Sequence, residues 1–287
     1  DDYQKAVLAQ ATAQVEWARG NYNQALSGFE RAVGLDALPD LTHFGLMYQI
    51  AQLYYMNDRY DEALDKLDLW MCKVPKEKVT DVAYVLQASL YAQKKDWKNT
   101  IVAIETAISM SDEPKESWYQ MKLAAHFELE QFPKAAQTLE IMIKLWPDKK
   151  TYWVQLSQIY YKLKMTDEAL SIMALANRRN LLDKETDVMY LSNLYSNAEV
   201  PYKAAITLQK GIEDGVVKQS KKNWTIVADS WYSAQEMEKA LFAYGKAGAA
   251  SEDGEIDLRR AYILVDLERW EDASIAVNAA IEKGGFN

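Results

Sequence analysis

The sequence predicts an all-α chain of helical hairpins stacked in series, and three observations carry that prediction. Residues 44–75 read as two helices joined by the polar turn Met56-Asn57-Asp58-Arg59, with Pro75 stopping the second. Met47, Ile50, Ala51 and Tyr54 share one face of the first helix; Tyr60, Ala63, Leu64, Leu67 and Trp70 share one face of the second. The second observation is recurrence. An aromatic or apolar residue stands three positions before a small one at Tyr22/Ala25, Tyr60/Ala63, Trp97/Thr100, Phe132/Ala135, Thr166/Ala169, Tyr202/Ala205, Met237/Ala240 and Trp270/Ala273, and successive small residues lie 33 to 38 apart. The third is composition: helix formers dominate, and the 11 Gly and 6 Pro fall mostly between the patterns. One such hairpin has nothing to bury its apolar face against until another stacks beside it.

With these residues in place, the sequence resembles the tetratricopeptide repeat, a unit with the pattern W-x2-L-G-x2-Y followed by A-x3-F, A and P. Trp153, Leu156, Ser157 and Tyr160 match the first half, as do Trp224, Val227, Ala228 and Trp231. Ala25, Phe29 and Ala32 match the second half, and Pro75 and Pro147 take the closing position. The resemblance implies a right-handed superhelical solenoid of about eight helix-turn-helix repeats, forming a single domain over 1–287. The repeats fall near 3–38, 42–76, 81–113, 115–147, 150–182, 185–217, 221–250 and 254–285. The small residues let paired helices approach closely, and most of the 18 Tyr and 9 Trp read as stacking core around them.

Along the chain, the first helix is Ala-rich (Ala6, Ala9, Ala11, Ala13), as an end cap exposing little apolar area would be, and Gly20-Asn21 makes its turn. Leu38-Pro39-Asp40 links to the second repeat, with Thr42 expected as its N-cap. In the third repeat Thr100 replaces the usual Ala, which is expected to loosen that hairpin. In the fourth, Leu123, Ala124 and Phe127 sit one residue closer to Phe132 than elsewhere, which predicts a shorter turn; Pro133 falls in a first helical turn, where its missing N–H is tolerated. The fifth begins after Trp146-Pro147-Asp148. The sixth is the least regular, with Val200-Pro201-Tyr202, two candidate alanines (Ala204, Ala205) and then Gly211 and Gly215, and it is expected to be a flexible joint. The seventh holds Trp224, Ala228, Trp231, Ala240 and Tyr244; the eighth ends in a mild helix (Ser274, Ala276, Asn278, Ala279, Ala280).

Composition and motifs narrow the function. A net charge of −9 argues against nucleic acid, which wants a basic stripe; Lys94/Lys95/Lys98, Lys149/Lys150 and Lys218/Lys221/Lys222 read as solvated turns. No run of about 20 apolar residues is present to span a membrane. Cys72 is the single cysteine, so no internal disulfide forms. His43 and His126 lie in different repeats without metal-ligand spacing, and no Gly-rich phosphate loop or nucleophile elbow appears. A non-catalytic chain with no metal and no cofactor is therefore expected. The chain opens Asp1-Asp2 without Met, as a processed form that has lost any signal peptide or lipid anchor would.

Binding surfaces are the better prospect. The resemblance places the first helix of each repeat along a concave groove. By repeat phase the groove residues are Gln14, Trp17, Tyr48, Gln52, Tyr55, Val85, Ser89, Trp118, Met121 and Ala125, then Val154, Gln158, Tyr161, Met189, Asn193, Asp229, Tyr232, Leu258 and Tyr262. An amide or carboxylate recurs at one equivalent position (Gln14, Gln52, Gln158, Asn193, Asp229), and Trp or Tyr follows three residues later at Trp17, Tyr55, Tyr161 and Tyr232. Such a ladder suits a protein segment or extended peptide: amides pair its backbone and aromatics pack its side chains. The alternative is that inward polar residues only keep the groove wet. A clamp for a terminal carboxylate is not expected, since only Lys222 and Asn193 fall in places that family members use for one. Met165–Leu170, Leu181–Asp187 and Val200–Ala205 further resemble the tetratricopeptide proteins that accompany TonB energy-transduction systems in Gram-negative bacteria. That resemblance implies a periplasmic accessory of outer-membrane uptake. The competing reading is self-assembly through the ends or convex face; a monomer or weak dimer is expected.

Overall fold

The computed structural model describes residues 1–285. Among the described residues the regular structure is helical, with no strand. The chain divides into two compact units, Asp1–Thr138 and the part from Leu139 onward. The first holds α1 (Asp2–Ala18), α2 (Tyr22–Gly34), α3 (Asp40–Met56), α4 (Tyr60–Lys73), a 3-10 turn (Lys76–Lys78), α5 (Asp81–Gln93), α6 (Trp97–Met110) and α7 (Glu116–Glu128). The boundary falls inside α8 (Phe132–Leu145). The second unit continues with α9 (Lys150–Lys162), α10 (Thr166–Arg178), α11 (Glu185–Asn197), α12 (Pro201–Glu213), α13 (Lys221–Ser233), α14 (Met237–Ala249), α15 (Glu255–Asp266) and α16 (Trp270–Lys283). These sixteen helices make the eight hairpins that the repeat signature predicts.

Every hairpin turns in the same way. Three residues separate the two helices, and the middle one is left-handed: Gly20, Asp58, Lys95, Glu130, Lys164, Glu199, Gln235 and Glu268 have φ between 53 and 79°. The N–H of the third turn residue donates to a carbonyl five positions back, as Arg59 does to Tyr54 (3.0 Å) and Met165 to Tyr160 (2.9 Å). This is the Schellman closure, which satisfies carbonyls that a helix end leaves orphaned. The fourth hairpin is no exception. Its turn, Leu129–Gln131, matches the others in length, so the expectation of a shorter turn is corrected: Leu123 itself occupies the position where the other repeats carry a small residue.

That position lies twelve residues before the small residue of the second helix. Ala13/Ala25, Ala51/Ala63, Ala88/Thr100, Ser157/Ala169 and Ala228/Ala240 are all fully buried there. Serine adds a tie across the hairpin: Ser157 Oγ donates to the Ala169 carbonyl (2.7 Å) and Ser192 Oγ to that of Ala204 (3.0 Å). Ala204 is therefore the residue in register, and Ala205 its buried neighbour. The Thr100 hydroxyl is satisfied by the Asp96 carbonyl of its own helix (2.8 Å).

Neighbouring hairpins are joined by apolar packing and by a recurring polar contact. The aromatic near the end of a first helix donates to the preceding second helix: Tyr54 to Glu30, Tyr160 to Glu140, and Trp231 Nε1 to Gln209 (2.8 Å). Burial, and then the bond to Glu30, raise the Tyr54 pKa to about 12. Lysines read from sequence as solvated instead bridge repeats: Lys94 to Asp61, Lys150 to Asp183 and Asp187, and Lys221 to Asp253. The exposed Lys94–Asp61 and Lys221–Asp253 pairs contribute at most about 1 kcal/mol each, whereas Asp187 is buried against Lys150.

Three local expectations are corrected. Helix α3 starts at Asp40 behind Pro39, whose extended backbone (φ −56°, ψ 144°) suits the capping place, so Thr42 lies inside the first turn. Helix α1 is not a bland cap: Tyr3, Val7, Leu8 and Val15 are exposed. Nor is α16 mild, since Trp270, Ile275 and Ile281 are exposed. Each terminal helix has a neighbour on one side only. In the sixth repeat, Gly211 serves packing: a β-carbon there would come within 2.8 Å of Val188 and 2.9 Å of Val217.

Candidate functional site

In the first unit the chain supplies a cleft at the junction of α3, α4 and α5. Leu41, Gly45 and Tyr48 lie along one stripe of α3, spaced by about a helical turn. Trp70 and Val74 come from the end of α4, and Val82 from the first turn of α5. Between them runs a seven-residue connection, Val74–Thr80, with its 3-10 turn. The space is 480 Å³ and predominantly apolar, with Asp40, Lys78 and Thr80 also lining it. The Tyr48 and Trp70 rings meet at 4.9 Å between centroids, inclined by 46°. Both the Tyr48 hydroxyl and Trp70 Nε1 are buried without a hydrogen-bond partner. Burial raises the Tyr48 pKa, so its hydroxyl stays protonated and remains a donor.

Other residues expected to face a groove in this unit divide. Gln14 is exposed on α1, whereas Trp17 packs edge-on to Phe29 (5.8 Å) and is half-buried. Gln52 and Tyr55 are half-buried on α3, with Tyr55 5.8 Å from Tyr60. Met121 packs against the core of α5 and α6, and Trp118 and Ala125 are themselves core.

In the second unit the stripe is more open. Gln158, Asn193 and Asp229 are exposed, and so are Tyr161 and Tyr232 (42 % each) and Tyr262 (64 %). The Tyr161 hydroxyl accepts a long bond from Asn197 Nδ2 (3.4 Å). Asp229 is already engaged: it accepts from the Tyr244 hydroxyl and lies 3.8 Å from Arg259. Asp229 also lines a cleft of 550 Å³ with Ser196, Glu199, Ile226, Ser230 and Ser233. Gln158/Tyr161 on α9 and Asp229/Tyr232 on α13 keep the spacing seen in sequence.

Leu41, Gly45, Trp70 and Val82 were not among the groove residues read from sequence. One signal pointed there: the 37–38-residue spacing of the first repeats, longer than elsewhere, which leaves room for the Val74–Thr80 connection. Among the described residues no cluster of three or more His, Cys, Asp or Glu could hold a metal, and no helix is long and apolar enough to cross a membrane.

Residues 11–70 match the family described as Tetratricopeptide repeat. No curated protein matches the chain in sequence. Many solved structures match the chain, among them the following two. The C-terminal part of a TPR repeat-containing protein from Cytophaga hutchinsonii superposes with a TM-score of 0.51 at 17% identity, over 84% of this chain and 95% of that one. A chain in the structure of Naa15/Naa10 bound to HypK-THB superposes with a TM-score of 0.58 at 12% identity, over 91% of this chain but 42% of its own length.

Proposed function

We propose that this tetratricopeptide-repeat protein is a non-catalytic scaffold that binds a protein segment or extended peptide along the first helices of its hairpins. The observation that carries the reading is the exposed ladder of the second unit, with Gln158 and Tyr161, Asn193, then Asp229 and Tyr232, one set per hairpin. Each amide offers a donor and an acceptor, which a peptide backbone of any sequence can use. Each tyrosine offers a large rigid surface whose burial concentrates binding energy. A chain of the same fold in the Naa15/Naa10 structure comes from an assembly bound to another protein, which fits a scaffold.

The test is titration of a captured native partner against two variants. Tyr161→Ala with Tyr232→Ala should cost about 2–4 kcal/mol of binding. Gln158→Ala with Asn193→Ala should cost less, about 0.5–1.5 kcal/mol for each bond lost. The helical signal should be unchanged, and salt should matter little. Unchanged affinity in both variants overturns this site.

A periplasmic place beside a TonB-linked uptake system is part of the same proposal and rests on the resemblance over Met165–Leu170, Leu181–Asp187 and Val200–Ala205. Crosslinking in intact cell envelopes should then recover inner- or outer-membrane uptake components; recovery of cytosolic partners alone would remove it. Self-assembly is the second reading, favoured by the exposed apolar side chains of α1 and α16.

A further inference from the structure

We propose that copies of this chain associate head to tail: the outer face of α16 in one copy seats on the outer face of α1 in the next, by the same step that joins hairpin to hairpin inside the chain. The proposal rests on the self-assembly reading above, and names its two surfaces, its polarity and its polar contacts.

Leu8 and Val15 carry the first argument. They lie five residues before and two residues after Ala13, the small residue of the first hairpin's first helix. The same two places are buried in every later hairpin; Leu46 and Leu53 in α3, and Tyr152 and Ile159 in α9, are at most 5 % exposed. Leu8 is 69 % and Val15 49 % exposed. On α16, Ile281 holds the place of Ile212 in α12, yet it is 65 % exposed where Ile212 is 1 %. Both end faces therefore carry the apolar residues of a hairpin junction. A solenoid end suited to water alone has a polar outer face instead.

The polar register decides what covers them. Inside the chain, the residue five places after the small residue of a second helix engages the next first helix. Glu30 accepts from Tyr54 (2.5 Å), Asp68 from Gln87 (2.8 Å) and Gln209 from Trp231 (2.8 Å), and Glu105 pairs with Lys122 (2.7 Å). At the ends, Asn278 holds the place of Glu30 and Glu16 the place of Tyr54. Donor and acceptor have changed sides, and they still match each other.

A second contact repeats with its charges unchanged. Lys94, the first residue of its turn, pairs with Asp61, the second residue of α4, and Arg269 likewise with Glu238 (2.8 Å). Arg19 and Glu271 hold the places of Lys94 and Asp61. Glu271 and Asn278 are exposed, without a side-chain partner among the described residues. A second copy brings both halves of this pattern, in a heterologous contact to which each copy gives one end.

The test uses the full chain with Cys72→Ser, in two single-cysteine forms, Leu8→Cys and Ile281→Cys. Both positions are exposed, so both forms should keep the melting temperature. One form is labelled with 15N, and the two are mixed at neutral pH with added salt and treated with a short bismaleimide. Mass spectrometry should find mixed-isotope dimers in roughly 5-fold or greater excess over either like-like dimer, as a heterologous contact requires. By sedimentation near pH 5.0 in low salt, Arg19→Glu and Glu271→Arg should each weaken association roughly 5-fold. Both changes in one chain should restore it. Arg19→Glu with Glu128→Arg, equal in net charge but on exposed α7 surface, should not. Like-like dimers in excess, or a double reversal that does no better than that control, overturns the head-to-tail contact and leaves self-assembly through another face. A monomer under every condition overturns the self-assembly reading itself, and leaves the peptide ladder of the second unit untouched.

Discussion

A residue at the closest approach of two helices is limited by space before it is limited by polarity. Ala63 and Ala240 sit there with no exposed surface, each twelve residues after a buried alanine of the partner helix. Ala63→Arg or Ala240→Arg must force a long charged group into that contact, by overpacking and by burying an unpaired charge. Each should cost about 3–5 kcal/mol. Ala273 lies in the last hairpin, with a neighbour on one side only, so Ala273→Arg should cost less. Equal small shifts in melting temperature at all three sites would contradict this. His126 gives a second residue-scale prediction. It is buried, with Nδ1 3.0 Å from Gln131 Oε1, and burial lowers its pKa more than that bond raises it; Lys122 and Lys134 push it down and Glu105 pulls it up, each more weakly. A depressed folded value means that the folded chain binds fewer protons than the unfolded one below the ordinary value of about 6.5. The stability from neutral His126 is therefore full above that pH and drains away as pH falls toward the lowered value. Melting temperature should fall more steeply between about pH 7.5 and about pH 5.5 in the native chain than in His126→Asn; equal slopes would clear His126.

At the scale of the element, the hairpin turns hold strain that the sequence does not advertise. Seven of the eight carry a side chain at a left-handed position, where only Gly20 has the residue that suits it. Gln235, with φ 61° and an exposed side chain, is the clearest case. Gln235→Gly should raise stability by about 0.5–1 kcal/mol, and Gly20→Ala should lower it by about 1 kcal/mol. Denaturant midpoints measure both; a loss in Gln235→Gly would mean that the strain is absorbed elsewhere. The hairpins themselves were legible, because a period of 3.6 and a small residue every 33 to 38 positions are local patterns. What depended on three-dimensional neighbours was not. Alanine content in α1 did not reveal that Leu8 and Val15 face outward, since composition does not say which side has a partner. The signature read at Tyr202/Ala205 falls one residue late: α12 starts at Pro201, and Ser192 donates to the Ala204 carbonyl. The exposed tyrosines of α9 and α13 could be read from phase alone. Of the Tyr48 cleft only Tyr48 itself and the longer repeat spacing were legible, because Trp70 and Val82 reach it from other helices.

For the whole molecule, the question is whether charge or apolar surface governs its encounters with itself. The chain carries a net charge of −9 and an isoelectric point near 5.0. At neutral pH and low salt, copies repel one another over roughly a Debye length, about 10 Å at 0.1 M. Against this stand Tyr3, Leu8 and Val15 on α1 and Trp270, Ile275 and Ile281 on α16, all exposed. Exposed apolar side chains of this kind favour association once repulsion is removed. Light scattering over a concentration series should then report a monomer at neutral pH, with an apparent mass that rises with concentration as pH approaches 5.0. Added salt at neutral pH should act in the same direction, by screening. Leu8→Glu with Ile281→Glu should abolish the rise, because both positions are solvent-exposed and neither change enters the core. A monomer under every condition would retire self-assembly as a role. A neutral-pH dimer that survives both substitutions would place the contact on another surface and bring it back as the leading reading.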